Sequence, residues 1–143
     1  MFSRWTVLAF AACAAIASAC APTNATPTTD QALVARGEYL VTVVAGCNDC
    51  HTPMTPQGPD MSRSLQGTEL GFAPLLDMPW APHAPSIAGM PEGWTEQDFA
   101  HFLQTAERPS GVPTLPPMPM YHMTEEDARA VAAYVRSLPK AES

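Results

Sequence analysis

Cys47-Asn48-Asp49-Cys50-His51 sets two thiols three positions apart, with an imidazole directly behind them. C-x-x-C-H is the attachment pattern for covalent haem c. On one helical turn, thiols at this spacing reach the two vinyl groups of a single porphyrin. The adjacent histidine then stands under the iron and offers Nε2 as the proximal ligand. Cys47 and Cys50 are therefore expected to form the thioethers of one haem, and His51 to bind its iron. Three other uses of the motif meet difficulties. A structural zinc site wants four ligands. There is no second cysteine pair, and His83, His101 and His122 have no close histidine partner. A thioredoxin-type redox pair needs a βαβ context, whereas Pro53 and Pro56 open a proline-rich stretch. A plain disulfide between the two thiols leaves His51 without a role.

Working outward, composition narrows the setting. A chain of 143 residues, 46% of them apolar, suits one globular domain rather than wholesale disorder. Sixteen prolines exclude long regular elements in the middle of the chain, because proline lacks a backbone donor and clashes inside helices. A net charge of −7 argues against nucleic acid as a partner, since phosphate binding needs a basic face. Four cysteines are too few for a disulfide-built miniprotein.

Residues 1–20, MFSRWTVLAFAACAAIASAC, carry Arg4, an apolar run from Val7 to Ile16, and Ala17-Ser18-Ala19. These are the marks of an export signal. The run is shorter than the roughly 20 residues that span a bilayer. Residues 1–19 are expected to be the signal peptide, with cleavage before Cys20. A cysteine in that place resembles a bacterial lipobox, although Ala17 stands where leucine is preferred. Cys47 and Cys50 are otherwise employed, so Cys20 has no internal partner. A lipid on it accounts for an unpaired thiol in an oxidising compartment and tethers the chain to a membrane. Plain cleavage beside an incidental cysteine is the alternative. Residues 20–29 are a Pro/Thr-rich linker by composition. Cleavage removes Arg4 and no acid, so the mature chain is more negative still.

Three helices flank the motif. Asp30 is placed to cap QALVARGEYLVTVVA (31–45), with Val34, Leu40, Val41 and Val44 near one face. Gly37 costs helix propensity; it either permits close approach of another helix or is a tolerated surface glycine. Residues 52–94 are a long irregular segment, which a haem can stabilise by offering a surface to pack on. Thr95 caps a helix over 96–107, with Asp98 completing a shortened capping box and Phe99, Phe102 and Leu103 as its apolar face. Trp94 before it either packs on the haem and its propionates or serves as a core residue. A proline loop over 108–120 leads to Thr124, which caps EEDARAVAAYVRSLP. Its three leading acids suit the positive end of the helix dipole. Ala128, Val131, Tyr134, Val135 and Leu138 form its buried stripe, and Pro139 stops it. This last helix is expected to cross the first near Gly37 and Ala130.

RGEYLV (36–41), CNDCHTP (47–53), GWTEQDFAHFL (93–103), PPMP (116–119) and MTEEDARAVAAYVRSLP (123–139) together resemble a class I monohaem c-type cytochrome. They are especially similar to the haem domains of membrane-associated alcohol and sugar dehydrogenase cytochrome subunits. Those subunits usually carry three haem domains, whereas this chain has one attachment motif. The resemblance implies an all-α cytochrome c fold over residues 30–140, with three main helices and long proline-rich loops wrapped around one covalent haem c. It implies attachment outside the cytoplasm, in keeping with export. It places the sixth iron ligand on a proline-framed loop ahead of the last helix. Met118, between Pro117 and Pro119, fits that place. Met120 and Met123 are the next candidates, and His122 or His83 would give bis-histidine ligation. The family also places the carbonyl that accepts from the proximal histidine's Nδ1–H just after the motif, near Pro53–Pro56. The implied function is a periplasmic one-electron carrier, not an enzyme, between a dehydrogenase and an oxidase or another cytochrome. The acidic balance suggests redox partners with a basic docking patch. The alternatives are a haem enzyme or gas sensor with an open sixth site, and a fixed electron-transfer subunit of a dehydrogenase complex.

Overall fold

Thr28 and Gln31 exchange hydrogen bonds across the first turn of a helix: the Thr28 hydroxyl accepts from Gln31 N, and the Gln31 side chain accepts from Thr28 N. This capping box starts α1, Thr29–Tyr39, in a computed structural model that describes residues 28–141. The expected signal peptide, Cys20 and most of the linker lie outside the described residues. The expected cap, Asp30, sits instead in the first turn. There its charge favours the helix dipole, while the box satisfies the free N–H groups. After Tyr39 the winding widens to a π-helical turn, Leu40–Val44, closed by Ala45 N donating to Leu40 O at 2.8 Å. The extra residue per turn rotates the face expected for 31–45. Leu40 and Val41 are buried and Leu33 packs on the core, but Val44 faces solvent.

Gly46, in left-handed backbone, turns the chain into α2, the short helix Cys47–His51. The segment expected as irregular contains two small antiparallel ladders. β1 (Met54–Thr55) pairs with β2 (Gly58–Pro59), and β3 (Thr68–Glu69) pairs with β4 (His83–Ala84). They tie down a proline-rich stretch that could not supply a longer ladder. α3, Glu96–Thr105, has the capping box of Thr95 and Asp98, and ends two residues early because Ala106 adopts left-handed backbone. α4, Glu125–Ser137, starts at Thr124, whose hydroxyl accepts from Asp127 N. Among the described residues the chain is thus broadly helical, with four α-helices and two minor ladders.

α1 and α3 both pack on α4. The α1–α4 contact is close at Gly37, where an added Cβ would lie 2.0 Å from the Ala130 carbonyl oxygen. The core gathers Leu40 and Val41, Phe99, Phe102 and Leu103 from α3, and Ala128, Val131 and Val135 from α4. Leu65 joins from the loop side. Fully buried, it takes a hydrogen bond from neither helix; its carbonyl accepts from Ile87 N and Ala88 N, and its N–H donates to the Thr52 hydroxyl.

Candidate functional site

α2 presents Cys47, Cys50 and His51 to a cavity of about 510 Å³. Trp94, Phe99, Phe102 and Leu103 form one apolar wall, and Pro117, Met118 and Tyr121 come from the proline loop. The C-x-x-C-H trio and Met118, expected as a set, thus border one space. Met120 is 72% exposed and does not line it. Met123 packs against the core, its N–H donating to Leu103 O, and is also absent from the lining. His83 borders the cavity, while His101 and His122 are solvent-exposed and lie away from it. Trp94 makes edge contacts with Phe99 and Phe102 at centroid distances of 6.1 and 5.6 Å, so it is part of the aromatic wall.

His51 is buried, and its Nδ1 lies 2.8 Å from the Pro85 carbonyl oxygen. A carbonyl can only accept, so the proton sits on Nδ1 and Nε2 keeps its lone pair free for a metal. Burial holds the imidazole below its ordinary pKa, against the opposing pull of that carbonyl. The partner is therefore Pro85, not a residue near Pro53–Pro56. The stretch after the motif is occupied by β1 and β2, and Pro53 O accepts from Asp60 N instead. Gly67 brings the distant loop in. Its N–H donates to His51 O at 2.7 Å, and its φ of +85° is open to glycine. A Cβ there would stand 2.7 Å from Ser86 N.

Several supporting residues were not anticipated. Asn48, inside the motif, is buried, and its Oδ1 accepts from the hydroxyls of Thr52 (2.8 Å) and Ser64 (2.7 Å). This braces α2 against the following loop. Tyr121 lines the cavity and donates from its hydroxyl to Ala45 O at 2.7 Å, joining the proline loop to the turn before α2. Burial, then the nearby thiols, push its phenol up to about 12, so it stays a neutral donor. The signal for these residues was weak: an amide between two cysteines and a tyrosine in a run of prolines and methionines.

Burial pushes the Cys47 thiol up to about 11, with Asp49 and Cys50 adding to the effect. Redox-active cysteine pairs need the opposite, a stabilised thiolate. Among the described residues, no three His, Cys, Asp or Glu side chains gather to hold a bare metal ion. The site fits a large, flat, mostly apolar group that brings its own metal: the walls are aromatic and aliphatic, and two soft or imidazole donors come from separate elements.

Residues 34–139 match the family model for cytochrome c. Among known proteins, the chain is 31% identical over 119 residues to the fructose dehydrogenase cytochrome subunit of Gluconobacter japonicus, covering 76% of this chain and 23% of that one. It is 33% identical over 129 residues to the cytochrome c subunit of a quinone-type alcohol dehydrogenase from Gluconobacter oxydans, covering 80% and 26%. A similar subunit from Komagataeibacter europaeus is 30% identical over 118 residues. The chain spans about a quarter of the length of these relatives.

Proposed function

The chain belongs to the cytochrome c family, whose cofactor is covalently bound haem c, and from that premise we propose that it is a periplasmic one-electron carrier with His51 and Met118 as axial ligands. When bound, the haem supplies a single ferric/ferrous couple. Cys47 and Cys50 anchor it as thioethers, which keeps it in place in a small domain. His51 donates through Nε2, oriented by Pro85 O. Met118 donates its sulfur from between two prolines, whose restricted φ limits the entropy lost in holding it. The aromatic wall excludes water. Two protein ligands leave the iron no open position, so the reading is a carrier rather than an enzyme or gas sensor.

The observation that carries this is the meeting of both thiols, His51 and Met118 around one cavity. The relatives named as dehydrogenase cytochrome subunits support a dehydrogenase as donor, with an oxidase or another cytochrome as acceptor. They also favour a second reading, a fixed subunit of such a complex, which co-purification with a larger partner distinguishes. The export signal over 1–19, the linker over 20–29, a lipid tether on Cys20 and a partner with a basic patch complete the proposal. Among the described residues no helix is long and apolar enough to cross a membrane.

The test is an intact mass and a redox-titrated absorption spectrum of the protein matured in a cell competent for cytochrome assembly. One covalent haem and a six-coordinate, low-spin spectrum in both oxidation states are expected. A ferrous form that binds carbon monoxide at once would favour the open-site alternative. A bare peptide mass would overturn the reading.

A further inference from the structure

The β3–β4 ladder carries a loop that is braced at its neck. Just past the ladder, Leu70 N donates to Pro82 O at 3.0 Å, and Phe72 meets Trp80 edge to face with centroids 5.9 Å apart. Ala81 N donates to Pro116 O at 2.8 Å, which fastens the returning side to the proline loop. Pro74 and Pro79 fix φ at two more positions. This stiff frame presents bare apolar side chains. Leu75 and Leu76 are 103% and 77% exposed, more than any other large apolar side chain among the described residues, and Phe72 and Met78 are exposed with them. Scattered apolar residues on a surface are ordinary, but four within seven positions of one braced loop mark a contact site. Neither leucine lines the cavity or joins the core, so the fold itself does not use them.

Three observations identify the occupant. Leu75 is as open to solvent as in an extended chain, so only something that surrounds it can cover it. Fluid acyl chains do that, whereas the face of a protein partner touches one side. Residues 70–82 hold a single charge, Asp77, and no lysine, arginine or histidine, in a chain of net charge −7. The loop is therefore where entry into an apolar phase costs least, and its aromatic neck suits the boundary of that phase. Third, residues 20–27 precede the described part of the chain, and eight residues reach at most about 28 Å. A lipid on Cys20 would hold the domain within that distance of a bilayer and leave its orientation free.

We propose that Leu75 and Leu76, flanked by Phe72 and Met78, enter the acyl boundary of a lipid bilayer as a second anchor that fixes the orientation of the domain. The proposal rests on the reading of Cys20 as a lipid-bearing residue. The prolines and the neck hold the tip in place beforehand, so little entropy is lost on insertion. Leu70 and Ala81, at the two ends of the loop, line the cavity. Insertion therefore holds the cavity at a set distance from the membrane surface.

Cys20→Ala keeps Ala17-Ser18-Ala19 ahead of the cleavage point and removes the lipid, so the loop is read alone. Holoprotein, checked by intact mass for cleavage and haem, is floated with phosphatidylcholine vesicles. It should bind, and adding Leu75→Ser/Leu76→Ser should weaken binding roughly 100-fold, about tenfold per leucine, with the haem spectrum unchanged. Phosphatidylglycerol in the vesicles should weaken binding at low salt, because the chain is acidic and the loop has no basic residue. Absence of binding, or equal binding by the loop variant, overturns the proposal. So does a loop variant that loses a co-purifying protein but keeps its vesicle affinity, which would make the loop a protein contact. A second measurement does not need Cys20→Ala. On oriented bilayers, the lipid-bearing wild type should show polarised haem absorption that Leu75→Ser/Leu76→Ser loses; equal polarisation overturns the proposal. Intact mass of the wild type decides the tether separately. A wild type without lipid overturns the Cys20 reading and the paired anchoring with it, whereas failure of the loop in a lipid-bearing protein overturns the loop alone.

Discussion

Met118 is half-buried at the cavity, while Met120 points to solvent and Met123 helps close the core above α4. Three methionines within six positions therefore have different surroundings, and their replacement should separate them. Met118→Ala is expected to abolish the weak red-end band of the ferric spectrum that reports sulfur–iron bonding. It should also lower the reduction potential, because a thioether ligand raises it. Met120→Ala and Met123→Ala should keep the band. If Met118→Ala retains it, another residue holds the iron. At this scale the C-x-x-C-H trio was legible because its chemistry is local, with all three residues on one turn. Pro85 was not legible. It lies 34 positions beyond His51, and the β3–β4 ladder, the bonds of Ile87 N and Ala88 N to Leu65 O and the approach of Gly67 to Ser86 bring its carbonyl there. Contacts made by folding of this kind leave no spacing to read.

The helices were legible where apolar spacing and caps agreed. Thr95 with Asp98, and Thr124 ahead of three acids, start α3 and α4 where expected. α1 was harder, because Thr28 and Asp30 are both residues of capping type and the widened turn after it breaks the 3.6-residue period that sequence reading assumes. The crossing of α1 and α4 at Gly37 offers a test that depends on sign. In an exposed helix, Gly→Ala stabilises by about 1 kcal/mol. Here the new Cβ meets the Ala130 backbone oxygen and the Tyr134 Cβ, and neither can step aside without moving a helix. Overpacking of that sort costs about 3 kcal/mol, so Gly37→Ala should destabilise by about 2 kcal/mol net in denaturant unfolding. A stabilised variant would mean that the two helices do not cross there.

The whole molecule has an interior that its own side chains leave incomplete. α1 and α3 pack on α4, while the aromatic wall of α3, the motif helix and the proline loop border a cavity of about 510 Å³. The chain could be read as too rich in proline to fill that space with regular structure, and the need for a group to pack on followed from it. The shape of the space could not be read, because it is set by loops joined across long stretches of sequence by bonds such as Ala81 N to Pro116 O and Leu70 N to Pro82 O. If the haem supplies the missing interior, Trp94, Phe99 and Phe102 lose their covering without it. Losing the burial of about three aromatic faces, at about 1 kcal/mol each, removes roughly 3 kcal/mol from a domain of this size, which lowers its melting temperature by about 15 °C. The double variant Cys47→Ala/Cys50→Ala, purified without haem, should therefore melt at least that much lower than the holoprotein, with a broader transition. It should also bind a dye that reports exposed apolar surface. A haem-free chain that melts as sharply and as high as the holoprotein, with no dye bound, would show that the polypeptide closes its own core and that the cavity is not where the cofactor serves as interior.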